Sequence, residues 1–139
     1  SEKAILDEKN ARAAPLAPGL YEGCNLEDGA EADCIDYDIS RDGSGRYLFA
    51  PREEGEEPFY ARFARLSGGG YVGGFANAEE EGFIYLFAKT RGDAFSLSLI
   101  SCKATSCEVS TLRALKGLAV AYRDSAAAEK GARIVFSKR

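Results

Sequence analysis

The side chains of this chain that could do chemistry are four cysteines and a surplus of acids; histidine is absent. Without His, the chain cannot build a Ser-His or Cys-His nucleophile or a His-ligated metal from its own residues. Cys24 and Cys34 stand in a C-x9-C spacing, and Cys102 and Cys107 in C-x4-C. An even count at such spacings suits two disulfides, for which four cysteines allow three connectivities. The local pairing, Cys24–Cys34 with Cys102–Cys107, is favoured because each pair flanks a strand turn. Zinc is an alternative, since only the second spacing reaches the C-x2–4-C range that zinc sites use. Four free thiols are another. Disulfides imply an oxidising compartment, namely the periplasm, the cell surface or the secreted space.

The 22 acids outnumber the 18 bases, giving a formal net charge of −4. Paired carboxylates are a hydrolytic machinery that needs no His. No spacing singles out a pair, so a carboxylate hydrolase is the minor expectation and a non-enzymatic protein the main one. No catalytic residue, metal ligand or cofactor is expected. Charge is unevenly placed: residues 22–57 hold 12 acids and 3 bases, whereas residues 58–139 hold 7 acids and 12 bases. Asp36, Asp38, Glu53, Glu54, Glu56 and Glu57 could form an acidic patch that docks a basic protein partner, since complementary charge steers association. A solvated face is the plainer reading of the same residues. The overall acidity argues against nucleic acid, and Lys130, Arg133, Lys138 and Arg139 make too short a basic tail to change that.

Three short motifs resolve into turns. Gly68, Gly70 and Gly73 satisfy G-x-G-x-x-G, with Asp93 twenty residues further on. A dinucleotide fingerprint must open a helix, and Tyr71-Val72-Gly73-Gly74-Phe75 is a poor helix former. A glycine turn leading into a kinked strand is expected instead. Arg91-Gly92-Asp93 spells an integrin-type tripeptide, but Gly-Asp is ordinary turn chemistry. Asp38, Ser40, Asp42 and Gly43 echo the start of a calcium loop whose twelfth position would be Phe49 rather than Glu. An irregular calcium site within residues 25–33 stays open at this level.

The elements that must carry these residues are mostly strands. Ile35, Tyr37 and Ile39 alternate with Asp36, Asp38 and Ser40, the period of a half-buried strand. Similar runs recur at Gly19–Cys24, Arg46–Ala50, Phe59–Leu66, Tyr71–Ala76, Phe83–Lys89, Ala94–Cys102 and Cys107–Ser110. The turn at residues 41–46 is rich in Gly and Asp, as a hairpin requires. Phe59, Phe63 and Leu66 also fit helical spacing, but the flanking strands and the following glycines favour a strand. The period then changes: Leu112, Leu115, Leu118, Ala119 and Tyr122 predict a helix, with Ser110 or Thr111 as its N-cap. Arg133–Ser137 is a final short strand. Residues 1–18, broken by Pro15 and Pro18, read as a leader or tether, such as a lipoprotein carries, and residues 19–139 as one domain. The longest uncharged stretches, Leu66–Ala78 and Ala94–Cys102, fall short of the ~18–20 residues of a membrane helix.

This order, with Gly19-Leu20-Tyr21 on the first strand, resembles the lipocalins and their calycin relatives. Those proteins carry Gly-x-Trp at that place, close eight strands into a barrel, pack a helix outside it and end on a short strand. The resemblance implies a mainly β, antiparallel up-and-down barrel of about eight strands with one C-terminal helix packed outside. It also implies a small apolar molecule as ligand. Phe49, Phe63, Phe83, Tyr85, Phe87 and Phe95 are the expected inward residues and cavity candidates; their bulk argues for a filled interior or a small cavity. Closure is also what the physics asks of a meander, because a barrel leaves no exposed strand edge. Phe83–Ala88 is apolar on both faces, which an outer helix would explain.

Overall fold

The computed structural model describes residues 5–27, 30–76, 84–100, 111–125 and 132–139. Eight antiparallel strands close into a barrel in chain order. They are β1 (Gly19–Glu27), β2 (Ala30–Arg41), β3 (Tyr47–Pro51), β4 (Phe59–Arg65), β5 (Tyr71–Ala76), β6 (Ile84–Arg91), β7 (Ala94–Leu99) and β8 (Arg133–Lys138). One helix, α1 (Leu112–Arg123), falls between β7 and β8. The mainly β barrel with an external helix is the architecture the resemblance implies, and Phe59–Arg65 is a strand rather than a helix, as its neighbours predict.

The role of the last strand differs from the sequence expectation. The pattern places eight strands before the helix and a short one after it, but Cys107–Ser110 lies outside the described residues. The strand after the helix is itself the eighth stave. β8 pairs with β7 through Phe95↔Phe136 and with β1 through Gly23↔Phe136, which closes the ring. The free edges of β1 and β7 both need a partner, and β8 satisfies both at once. Arg139 fastens this seam. Its N–H donates to the Leu20 carbonyl at 3.0 Å, and its guanidinium reaches Asp36 at 2.8 Å and Glu22 at 3.0 Å.

Alternation along each strand sends one set of side chains inward. Tyr47, Phe49, Phe63, Phe95 and Phe136 meet in the barrel interior and are fully buried. Glycines make room where rings cross the wall. A Cβ on Gly23 would lie 2.8 Å from both the Phe136 and Tyr37 rings, and one on Gly73 would lie 2.8 Å from Phe63.

A second core lies outside the barrel. α1 starts at Thr111, whose Oγ1 accepts from the Ala114 N–H at 3.1 Å. Its buried face of Leu115, Ala119 and Tyr122 packs with Ala64, Leu66, Val72 and Phe87 from the outer face of β4–β6. At the C-terminal end of α1, the Arg123 guanidinium donates to the Ser67 and Gly69 carbonyls at 2.7 and 2.8 Å, pinning the helix to the β4–β5 turn. Residues 5–11 join this core through Leu6 and Ala11. Leu6, Ala11 and Leu16 thus pack the N-terminal segment against the barrel. Asp7 shapes it into a turn by accepting from the Lys9 and Asn10 N–H groups.

Two glycines separate crowding from backbone cost. Gly23→Ala forces a methyl between two rings and is expected to destabilise by about 1–3 kcal/mol. Gly117 lies inside α1 with nothing within 4 Å of an added Cβ. Gly117→Ala should therefore stabilise by about 0.5–1 kcal/mol. Urea unfolding of both variants against the parent protein measures each change.

Candidate functional site

Of the six expected cavity residues, Phe49, Phe63 and Phe95 do point into the barrel. They meet other rings there. Tyr47–Phe63, Phe63–Phe95 and Phe49–Phe136 lie 5.6, 5.7 and 5.4 Å apart between ring centroids. These are ordinary packing separations for aromatic pairs. Tyr85 and Phe87 correct the sequence reading. They belong to the outer core beneath α1, where Phe87 meets Tyr122 at 6.0 Å. On β6 it is Leu86 and Ala88 that join the barrel interior. Because this strand is apolar on both faces, its alternation carries no sign of which face is inward. Phe83 lies outside the described residues.

The two ends of the barrel differ. At the end formed by the close of β2 and the starts of β3 and β5, residues 12–17 form a plug. Leu16 is buried in the interior cluster. Tyr47 donates its hydroxyl to the Leu16 carbonyl and Tyr21 to the Ala17 carbonyl, both at 2.6 Å. The Ala13 N–H donates to the Phe63 carbonyl at 3.0 Å, and Arg41 donates to the Arg12 carbonyl at 2.7 Å. Burial pushes up the pKa of both tyrosines, with Asp93 adding to it at Tyr21. Both hydroxyls therefore stay protonated as donors.

The opposite end keeps an apolar inner rim. Tyr37, Phe59, Phe75 and Ile134 pack on the interior cluster but are only partly buried. Ile84, opposite Phe75, is 37% exposed, and Leu99, opposite Leu86, is 59% exposed. Phe59 stacks on Phe49 at 4.6 Å and meets Phe75 at 4.7 Å, so this rim continues the ring column outward. The Tyr37 hydroxyl is raised in pKa by burial, then by the charges of Glu56 and Glu53 on the β3–β4 loop. The mouth is thus apolar inside with acids beside it. Sequence reasoning missed Tyr37, Phe59, Phe75 and Ile134 as site residues, although each sits at an inward position of its strand. What sets them apart is their place at the strand end, which only the register reveals.

Cys24 and Cys34 form a disulfide directly across the β1–β2 pair, as the local pairing requires. Cys102 and Cys107 lie outside the described residues. A Glu22 carboxylate oxygen lies within 4.8 Å of both sulfurs. Sulfurs bonded to each other are not thiolate ligands, and one carboxylate is too few donors for zinc. The six expected patch acids lie on β2 and on the β3–β4 loop, which meet at Arg52, whose N–H donates to the Asp36 carbonyl at 2.8 Å. Asp38 is paired with Arg52 at 2.7 Å and Asp36 with Arg139 at 2.8 Å, both on the outer face of β2. Glu53, Glu54, Glu56 and Glu57 are exposed on the β3–β4 loop.

Each short motif is a turn. Gly68, Gly69 and Gly70 all take positive φ in the β4–β5 hairpin, and Gly92 does so at 60° between β6 and β7. Asp42 accepts from the Ser44 hydroxyl and from the Ser44 and Arg46 N–H groups. These bonds hold its carboxyl well below the ordinary range, at about 2, with the Ser44 hydroxyl the largest contributor. The would-be calcium ligand is therefore the anchor of the β2–β3 turn.

No family model matches the chain, and neither the curated proteins nor the solved structures contain a significant match.

The disulfide closes a loop with a sequence separation of 10. Chain entropy assigns such a loop about 2–3 kcal/mol. Replacing Cys24 and Cys34 together by Ser should lower stability by that amount, read as the shift of the urea midpoint. A variant whose midpoint does not move would show that the bridge adds nothing to the β1–β2 pairing.

Proposed function

We propose that the protein is a non-enzymatic binding barrel, lipocalin- or calycin-like in architecture, that takes a small apolar molecule at its open mouth. The observation that carries this reading is the contrast between the two ends. One is plugged by residues 12–17, while the other leaves Ile84 and Leu99 exposed above half-buried Phe59, Phe75 and Ile134. Exposed apolar side chains gathered at one place mark a binding surface more often than scattered ones do. The ring-filled axis moves the ligand from the barrel centre, where the family resemblance would put it, to the rim. Tyr21 of the Gly19-Leu20-Tyr21 triplet is buried and bonded to the plug. It therefore supports the closed end and not the ligand.

The disulfide supports an oxidising setting: periplasm, cell surface or secretion. Among the described residues no helix is long and apolar enough to cross a membrane. The alternative reading is an interaction or inhibitor module that meets a basic protein through its charged surface. It rests on the acids Glu53, Glu54 and Glu56 exposed on the β3–β4 loop, beside Asp36 and Asp38 with their arginine partners.

Titration with the neutral dye Nile red tests the mouth. Leu99→Asp and Ile84→Asp place a charge on exposed rim positions, which should change stability by only about 0.5 kcal/mol. Each is expected to weaken dye binding at least about tenfold, the cost of desolvating a charge beside an apolar ligand. Unchanged affinity in both variants would remove the mouth as the site.

A further inference from the structure

The outer face of β6–β8 carries a cleft of about 330 Å³ lined by Lys89, Arg91, Ala94, Ser96, Arg133 and Val135. Its shape follows from the strand register. Outward positions form the rows Arg91–Ala94–Ser137, Lys89–Ser96–Val135 and Phe87–Ser98–Arg133 across the three strands. The central strand, β7, therefore offers only Ala94 and Ser96 to the cleft, Ser98 being buried, while long side chains rise from β6 and β8 on either side. The result is a trough with a floor of small residues and walls that carry cations.

Lys89 and Arg91 make no ion pair or side-chain hydrogen bond among the described residues. Among the described residues, the acids on the flanking elements are Glu22 and Asp93. Glu22, on β1 beyond Ser137, is held by Arg139. Asp93, on the β6–β7 turn, lines a different cleft with Lys138 and the plug residues Leu16 and Ala17. Among the described residues, Lys89 and Arg91 thus give the β6 wall of the trough positive charge without an ion-pair partner, on a protein of net charge −4.

We propose that this trough docks an extended acidic segment of a partner protein. Lys89 and Arg91 are two residues apart on one strand face, which sets them about 7 Å apart. That is the repeat of alternate side chains in any extended chain. Arg133 stands two strand spacings across, about 10 Å away, on the far wall. A segment with carboxylates at alternate positions meets the two β6 cations in register, and Ser96 and Ala94 beneath leave room for its backbone. A small anion matches this geometry less well. Small-molecule sites enclose most of their ligand, whereas this trough lies along an open sheet face where affinity must be spread over length. The site is distinct from the apolar mouth and does not depend on it.

The test is calorimetric titration of the full chain with a capped peptide in which Glu alternates with Ser over six residues, at low and at physiological ionic strength. Binding is expected to weaken several-fold with salt, as exposed charge pairs do. Lys89→Glu and Arg91→Glu should each weaken it about tenfold. Arg113→Glu, an equal charge change on the exposed side of α1, should weaken it less than about twofold. Equal losses in all three variants would reduce the effect to net charge and overturn the docking site. So would absence of peptide binding at low salt. Binding of phosphatidylglycerol vesicles that is lost in Lys89→Glu, without peptide binding, would reassign the face to anionic lipid.

Discussion

The volume inside an eight-stave barrel is the constraint on which the rest of this structure depends. Such an interior either fills with side chains or holds one small ligand. Here Tyr47, Phe49, Phe63, Phe95 and Phe136 meet within it and are fully buried. Where two rings and the wall compete for one place, the wall residue is glycine, as at Gly23 and Gly73. The same pressure explains the plug. Leu16 caps the ring column at one end, and the hydroxyls of Tyr21 and Tyr47 donate to the Ala17 and Leu16 carbonyls of the plug.

With rings meeting on the axis, the surfaces differ in chemistry. Among the described residues the other end has no such plug, and its rim is apolar because the ring column runs out into it through Phe59 and Phe75. The outer wall divides by chemistry. α1 covers the apolar outer face of β4–β6, arginines neutralise Asp36 and Asp38 on β2, and β6–β8 keep a cationic trough. The disulfide and the Arg139 clasp both act on β1 and its neighbours, where first and last strands must meet.

Much of the fold was legible in the chain because alternation is a local signal. Ile35, Tyr37 and Ile39 against Asp36 and Asp38 announce a strand with one buried face, and Leu115, Ala119 and Tyr122 announce a helix. The turn glycines at 68–70 and 92 were legible for the same reason, since positive φ is a property of single residues. The missing information was long-range. β6 is apolar on both faces, so Phe87 and Leu86 could exchange inside and outside until α1 was placed. That Arg133–Lys138 completes the ring depends on pairing with residues more than a hundred positions away. The plug was hidden in a Pro- and Ala-containing segment without periodicity, and the rim residues differ from other inward residues only by their height in the barrel.

The central claim is that the axis is solid and that apolar binding happens at the rim. Methyl-resolved NMR of the chain titrated with Nile red tests it directly. The account predicts contacts from the dye to the methyls of Ile84, Leu99 and Ile134, with Leu16 and Leu97 unmoved. Contacts from the dye to Leu97 and to the rings of Phe63 and Phe95 would place the ligand on the axis and contradict it.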